Sequence, residues 1–216
     1  MTNNKKNYVL EIINILKSYF GTKLKCALNF SNAFELLAAV ILSAQCTDER
    51  VNKITKELFK KYKTIDDYAD ANILALAKDI KSAGFFRNKA KNIVKSANLI
   101  RDLYGGIVPD SMHKLIKLPG VARKTANVVL GSAYGKSEGI AVDTHVIRIT
   151  NLLKVTTNID PVKIENDLMD IVPKKYWIKF SFYIQSLGRT ICKARIPNHS
   201  VCPLNKICPS AGKNKS

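Results

Sequence analysis

No apolar stretch in this chain is long enough to cross a bilayer. The longest, FELLAAVILSA, spans 11 residues and carries Glu35, against the ~20 apolar residues that a membrane helix needs. No secretory signal opens the sequence. After a basic start, Val9, Ile12, Ile13, Leu16 and Phe20 recur at helical spacing but are interrupted by Glu11, Asn14 and Lys17. Sustained period-two alternation and Asn-Gly hairpin signals are also missing, which argues against sheet structure. There is no internal repeat and no low-complexity segment. Acidic residues are scarce, 17 against 35 lysines and arginines. A cytoplasmic protein is expected. Thiols there stay reduced, so clustered cysteines read as ligands rather than disulfides.

What is present is a chain of 216 residues, 46% hydrophobic, long enough for one large or two small domains with a real core. That apolar content excludes a disordered chain. A formal net charge of +18 points to a polyanionic partner. Biased codon usage gives the same Lys- and Asn-rich excess, so charge supports a nucleic-acid site without establishing one.

Almost every segment reads as helix, and the fold class is all-α. Asn32 with Glu35 three residues on is a capping signal for a helix over 33–45. Val51, Ile54, Leu58 and Tyr62 mark one face of the next helix. Ala90, Ile93, Ala97, Ile100 and Leu103 mark another, stopped by Gly105-Gly106. Pro161 and Pro173 stand where first helical residues would, with Asp160 capping the former. Cys26 and Cys46 lie in apolar surroundings and are expected to be buried. The tail after Cys208, PSAGKNKS, is expected to fray.

The most informative stretch is LPGVARKTANVVLGSAYGKSEGIAVDTH, residues 118–145. Ser111 is placed to cap a short helix, MHKLIK. Leu118-Pro119-Gly120-Val121 then turns the chain, and a helix restarts near Ala122. Gly120 permits a close backbone approach or a positive φ. The N–H groups at the new helix start form an anion site, which fixes position on a phosphate backbone without reading sequence. A bare Pro-Gly turn is also an ordinary helix corner. Lys124 sits in the first turn of the new helix, with Arg123 beside it. Asp143 follows 19 residues later, at a further helix start. Asp-Thr before an apolar-periodic run is also a plain N-cap. Helix 124–134 rises about 15 Å, and residues 135–143 reach at most roughly 28 Å, so the chain has the length to bring Asp143 back to Lys124.

LPGVARKTANVVL followed by AVDTH resembles the helix-hairpin-helix DNA glycosylase superfamily, and within it the endonuclease III family. FELLAAVILSAQCTDERVNK, SAGFFRNKAKNI and a terminal cysteine cluster extend the resemblance over nearly the whole chain, in the same order. The hairpin commonly carries a second glycine where this chain has Ala122. A left-handed alanine there would cost roughly 1 kcal/mol. The resemblance implies a two-domain helix-hairpin-helix glycosylase fold. Residues 26–138 form a helical barrel domain with the hairpin at about 111–134. Residues 139–216 form a C-terminal cluster domain, and residues 1–25 supply a helix packed with it. DNA lies across the cleft between the domains.

The implied activity is that of a bifunctional DNA glycosylase and AP lyase removing oxidised pyrimidines in base excision repair. Lys124 attacks the sugar C1′ of a flipped nucleotide, because only an amine gives the imine that acidifies the adjacent C2′ proton. Asp143 balances positive charge on the sugar and helps move the lysine proton. Gln45 and Phe85 occupy the positions of the family's gap-filling glutamine and apolar wedge. Outside the resemblance, each is an ordinary helix-end residue. With Gly120, Ala122 and Arg123 at the hairpin, they make up the expected DNA contacts. The expected partner is double-stranded DNA with a damaged base or an abasic site, met by a monomer that is nucleoid-associated in a bacterium. The alternatives are a monofunctional mismatch glycosylase, against which Lys124 argues, and a non-catalytic DNA-binding module.

The family's iron–sulfur motif is C-x6-C-x2-C-x5-C. Here the same spacing reads Cys192, His199, Cys202, Cys208, with histidine as the second ligand. Imidazole ligates iron, and cysteine–histidine sets also bind zinc. A [4Fe–4S] cluster is the first expectation, with zinc or no metal as alternatives. Lys193 and Arg195, within the loop, are placed to touch phosphate.

Overall fold

The computed structural model describes residues 2–212. Among them the regular structure is all helical: α1 (Thr2–Phe20), α2 (Ala33–Ser43), α3 (Asp48–Lys61), α4 (Ile65–Ala69), α5 (Ile73–Asp79), α6 (Phe86–Tyr104), α7 (Met112–Leu115), α8 (Arg123–Ala133), α9 (Thr144–Leu152), α10 (Pro161–Ile171) and α11 (Trp177–Thr190). Single 3₁₀ turns lie at Lys81–Ala83 and Lys174–Tyr176. The chain divides into two compact units. Cys26–Glu138 forms one; residues up to Lys25 together with those from Gly139 onward form the other.

In the central unit, α2 buries Phe34 and every residue from Leu36 to Leu42, and packs against α3, α6 and α8. Its start is fixed reciprocally. The Asn32 side chain accepts the Glu35 amide at 2.9 Å, and the Glu35 carboxylate accepts the Ser31 amide at 2.5 Å. Such caps satisfy donors that a helix start otherwise leaves unpaired. α3 buries Val51, Ile54 and Leu58, with Tyr62 continuing that face. α6 buries Ala90, Ile93, Ala97 and Ile100, then stops at Gly105 in a left-handed conformation. Leu103 departs from the expected face and is 67% exposed. At 3.6 residues per turn it lies about 100° round the helix from the centre of the Ala90–Ile100 stripe.

Three further expectations are corrected here. Ser111 stands before α7 but makes no capping bond with its side chain. The Glu138 carboxylate does that work, accepting the Met112 amide at 3.1 Å. α7 ends at Leu115 rather than running to Lys117. Cys26 and Cys46 are half-buried at the edge of the core rather than buried within it.

In the other unit, α1 buries Val9, Ile12, Ile13 and Leu16 completely and packs on α10 and α11. Asp160 caps α10 by accepting the Val162 and Lys163 amides, and Pro161 is its first residue. Pro173 does not open an α-helix. It precedes the 3₁₀ turn that leads into α11. α9 packs against α11, where Gly188 admits the His145 ring so closely that a Cβ would lie 2.5 Å from Nδ1. Of the tail expected to fray, residues 209–212 form turns and residues 213–216 lie outside the described residues.

Candidate functional site

The hairpin of the central unit is built on one tight turn. The Val121 amide donates to the Leu118 carbonyl at 3.1 Å. Gly120 has φ +78°, the value that position i+2 of a type II turn requires, with proline favoured before it. Leu118 and Val121 are buried and anchor the turn. Ser96 donates to the Pro119 carbonyl at 3.1 Å. A Cβ on Gly120 would lie 2.7 Å from the Asn92 side-chain nitrogen, so both the φ and the space select glycine.

α8 begins directly after this turn. Ala122 is its N-cap, with φ −88° and ψ 171°. The backbone there is extended rather than left-handed, so the expected strain at alanine is absent: the positive φ is confined to Gly120. No side chain caps α8, and its first-turn amides face a position where an external anion is favoured. Lys124 lies in this first turn, half-buried. Asp143 belongs to the other unit. It caps α9 by accepting the Val146 amide at 2.9 Å and is likewise half-buried.

Gln45 and Phe85 share an unusual backbone. Both are non-glycine residues with positive φ, 54° and 45°, a conformation that costs an L-residue roughly 1–2 kcal/mol. Gln45 is exposed just past the end of α2, and Phe85 is 71% exposed at the start of α6. A third residue, missed from the sequence, joins their loops. Lys89 is 5% exposed, and its ammonium donates to the carbonyls of Leu42 at 2.8 Å, Ala44 at 2.7 Å and Ala83 at 2.8 Å. Burial holds this ammonium below the ordinary lysine range. A signal was available, because Lys89 falls on the same helical face as Ile93, Ser96 and Ile100.

The terminal loops surround a cavity of about 200 Å³ lined by Cys192, His199, Cys202 and Cys208, with Arg148 and Leu152. Arg148 donates to the Cys192 carbonyl at 2.6 Å and points a second nitrogen at its sulfur, 3.5 Å away. Tyr8 donates to the Ile207 carbonyl at 3.1 Å. Burial pushes the Cys202 and Cys208 thiols up, and charge on neighbouring cysteines acts in the same direction. His199 Nε2 is buried with no hydrogen-bond partner, a state that costs about 1–3 kcal/mol if left unrelieved. Among the described residues, no three His, Cys, Asp or Glu side chains converge closely enough for one metal ion. Three thiols and an unpartnered imidazole nitrogen around one cavity are a donor set of the kind that holds iron or zinc. Lys193 and Arg195 are exposed on the loop between Cys192 and His199.

The family model of HhH-GPD superfamily base excision DNA repair proteins matches residues 38–174. An endonuclease III from Synechocystis sp. is 46% identical over 208 residues, 96% of this chain and 94% of that protein. The chain belongs to this family of helix-hairpin-helix base excision repair proteins. The structure of a non-covalent endonuclease III–DNA complex superimposes with a TM-score of 0.91 at 42% identity, covering 96% of this chain and 97% of that one. A trapped endonuclease III–DNA covalent intermediate gives 0.90 at the same identity and coverage. The helix-hairpin-helix match spans the Gly120 turn, Lys124 and Asp143 together. No helix among the described residues is long and apolar enough to cross a membrane.

Proposed function

We propose that this chain is a bifunctional DNA glycosylase and AP lyase of base excision repair, acting on oxidised pyrimidines in duplex DNA. One observation carries the reading. An amine stands in the first turn of a helix with no side-chain cap, after a tight turn, in a chain 42% identical to an endonuclease III captured as a covalent DNA intermediate. A helix start without a cap favours a phosphate, and an amine beside it favours imine chemistry.

Lys124 is the nucleophile. Its neutral amine attacks C1′ of the flipped nucleotide, the glycosidic C–N bond breaks and the base leaves. The resulting Schiff base acidifies the C2′ proton. Loss of that proton breaks the C3′–O bond and cuts the strand on the 3′ side. Asp143 accepts the lysine proton and offsets positive charge on the sugar. The turn at Gly120, with the amides of Ala122, Arg123 and Lys124, holds the backbone phosphate. Gln45 and Phe85 fill the gap left by the flipped nucleotide. Lys193 and Arg195 add contacts to phosphate.

Cys192, His199, Cys202 and Cys208 hold a [4Fe–4S] cluster. The support is the lined cavity and the unpartnered His199 nitrogen. When bound, the cluster cross-links the terminal loops. It takes no part in the steps above.

The test is Lys124→Ala with borohydride trapping on abasic duplex DNA, using protein whose N-terminal amine is blocked. The variant is expected to bind DNA as the wild type does, to lose strand cleavage and to give no trapped adduct. A trapped adduct from this variant would overturn the assignment.

A further inference from the structure

Lys89 is a buried cation with no carboxylate at its hydrogen-bonding end. We infer that Lys89 is a positioning residue: its ammonium clamps the loop carrying Gln45 to the loop carrying Phe85, so that both are presented together for opening the duplex. The inference rests on the reading of Gln45 and Phe85 as the gap-filling pair.

The geometry accounts for all three donors. An ammonium has three N–H bonds and no acceptor. Here they reach Leu42, Ala44 and Ala83 at 2.7–2.8 Å. The first two carbonyls lie at the end of α2, which the helix leaves without intrahelical partners. They also carry the partial negative charge of the helix C-terminus, which favours a cation. Ala44 immediately precedes Gln45. Ala83 precedes Gly84 and Phe85, and closes the 3₁₀ turn Lys81–Ala83. Lys89 itself rises from α6 one turn after Phe85, whose carbonyl accepts the Lys89 amide at 3.2 Å. One residue thus grips Phe85 from its own helix and both loops from its side chain.

The clamp explains why strain persists at two exposed positions. Left-handed Gln45 and Phe85 gain little from burying their own side chains, since both are exposed. Such conformations last only where the surroundings over-determine them. Three bonds to a buried ammonium supply that constraint from inside the fold. Lysine is suited to it, because its donors diverge from one nitrogen, whereas the planar fork of arginine does not aim at three such points.

The test uses the full chain with Lys89→Met. Three measurements are made: hydrogen–deuterium exchange, excision from duplex DNA bearing an oxidised pyrimidine, and cleavage of a single-stranded abasic oligonucleotide. Exchange is expected to rise together in residues 43–46 and 83–86. Duplex excision is expected to fall about tenfold or more, because misplacing a positioning group costs up to about 100-fold. Single-strand cleavage stays within about twofold, since no gap has to be filled. Lys89→Arg keeps the charge and covers the case in which Lys89→Met does not fold; the same split between substrates is expected at smaller amplitude. Equal slowing on both substrates, or exchange that rises throughout the chain or in only one loop, overturns the clamp. Gln45→Ala and Phe85→Ala test the underlying reading separately. If they leave the duplex-to-single-strand ratio unchanged, the gap-filling role fails. The exchange measurement then decides the clamp alone: coupled loosening upholds it, and unchanged loops overturn it.

Discussion

Asp143 has a structural role and a proposed chemical one, and one pair of substitutions separates them. Its carboxylate caps α9 through the Val146 amide at 2.9 Å, and under the proposed mechanism its charge serves the reacting sugar. Asparagine keeps the side-chain oxygen and is as good an N-cap as aspartate. Asp143→Asn therefore loses only the interaction of the charge with the helix dipole, about 0.3–1 kcal/mol. Asp143→Ala also loses the cap, a further ~1 kcal/mol. For a chain of this size each kcal/mol moves the melting temperature by about 2–4 °C. The chemical loss has another scale. Removing one preorganised electrostatic contact to a developing charge costs roughly 100- to 1000-fold in rate. Single-turnover base excision is thus expected to collapse in both variants, while thermal melting separates them, with the alanine variant the lower. Wild-type excision by Asp143→Asn would leave Asp143 as a cap and nothing more, and melting as low as that of Asp143→Ala would tie the loss of excision to the lost cap rather than to the charge.

His199→Cys is expected to tighten iron retention and to lower the cluster's reduction potential, since an anionic thiolate replaces neutral imidazole. Iron, sulfide and zinc analysis of anaerobically purified protein checks the metal, and voltammetry checks the potential; zinc in place of iron would replace the cluster with a structural metal site, and folded, active wild-type protein with neither would defeat the ligand assignment. Gly120→Ala is expected to destabilise the chain by about 1–2 kcal/mol through its positive φ alone, and by more through the Asn92 side chain 2.7 Å away. Asn92→Ala in the same chain should recover the steric part, as read by denaturant unfolding; no recovery would place the cost elsewhere.

Much of the fold was legible because local signals and burial agree. The stripe Val9, Ile12, Ile13 and Leu16 is both periodic in sequence and completely buried. Asn32, Asp143 and Asp160 carry oxygens where helices begin, and each accepts the expected amides. The misreadings share a cause. Ser111 has the right residue type for a cap, but the Met112 amide is taken by Glu138, 26 residues on. Local chemistry proposes a partner, and a distant carboxylate displaces it. The motif suggests a left-handed, strained Ala122, whereas the backbone there is extended and the positive φ falls on Gly120, which takes it without steric cost. Dihedral angles inside a turn depend on which peptide flips, and motif spacing does not report that.

The candidate site divides in the same way. Lys124, Asp143 and the Cys–His spacing are visible because each requires a residue type at a fixed interval. The support for those residues is not, because it consists of backbone carbonyls, which every residue has. Arg148 reaches the Cys192 carbonyl across 44 residues of sequence. Lys89 is one of 35 basic residues, and composition makes it indistinguishable from Lys91 or Lys95 beside it. Only its phase on α6, within the buried arc rather than outside it, sets it apart. In a chain this rich in lysine, the informative cation is the one that the helical period places inside. An interior ammonium must find acceptors for every donor, and the acceptors it finds identify the segments it holds.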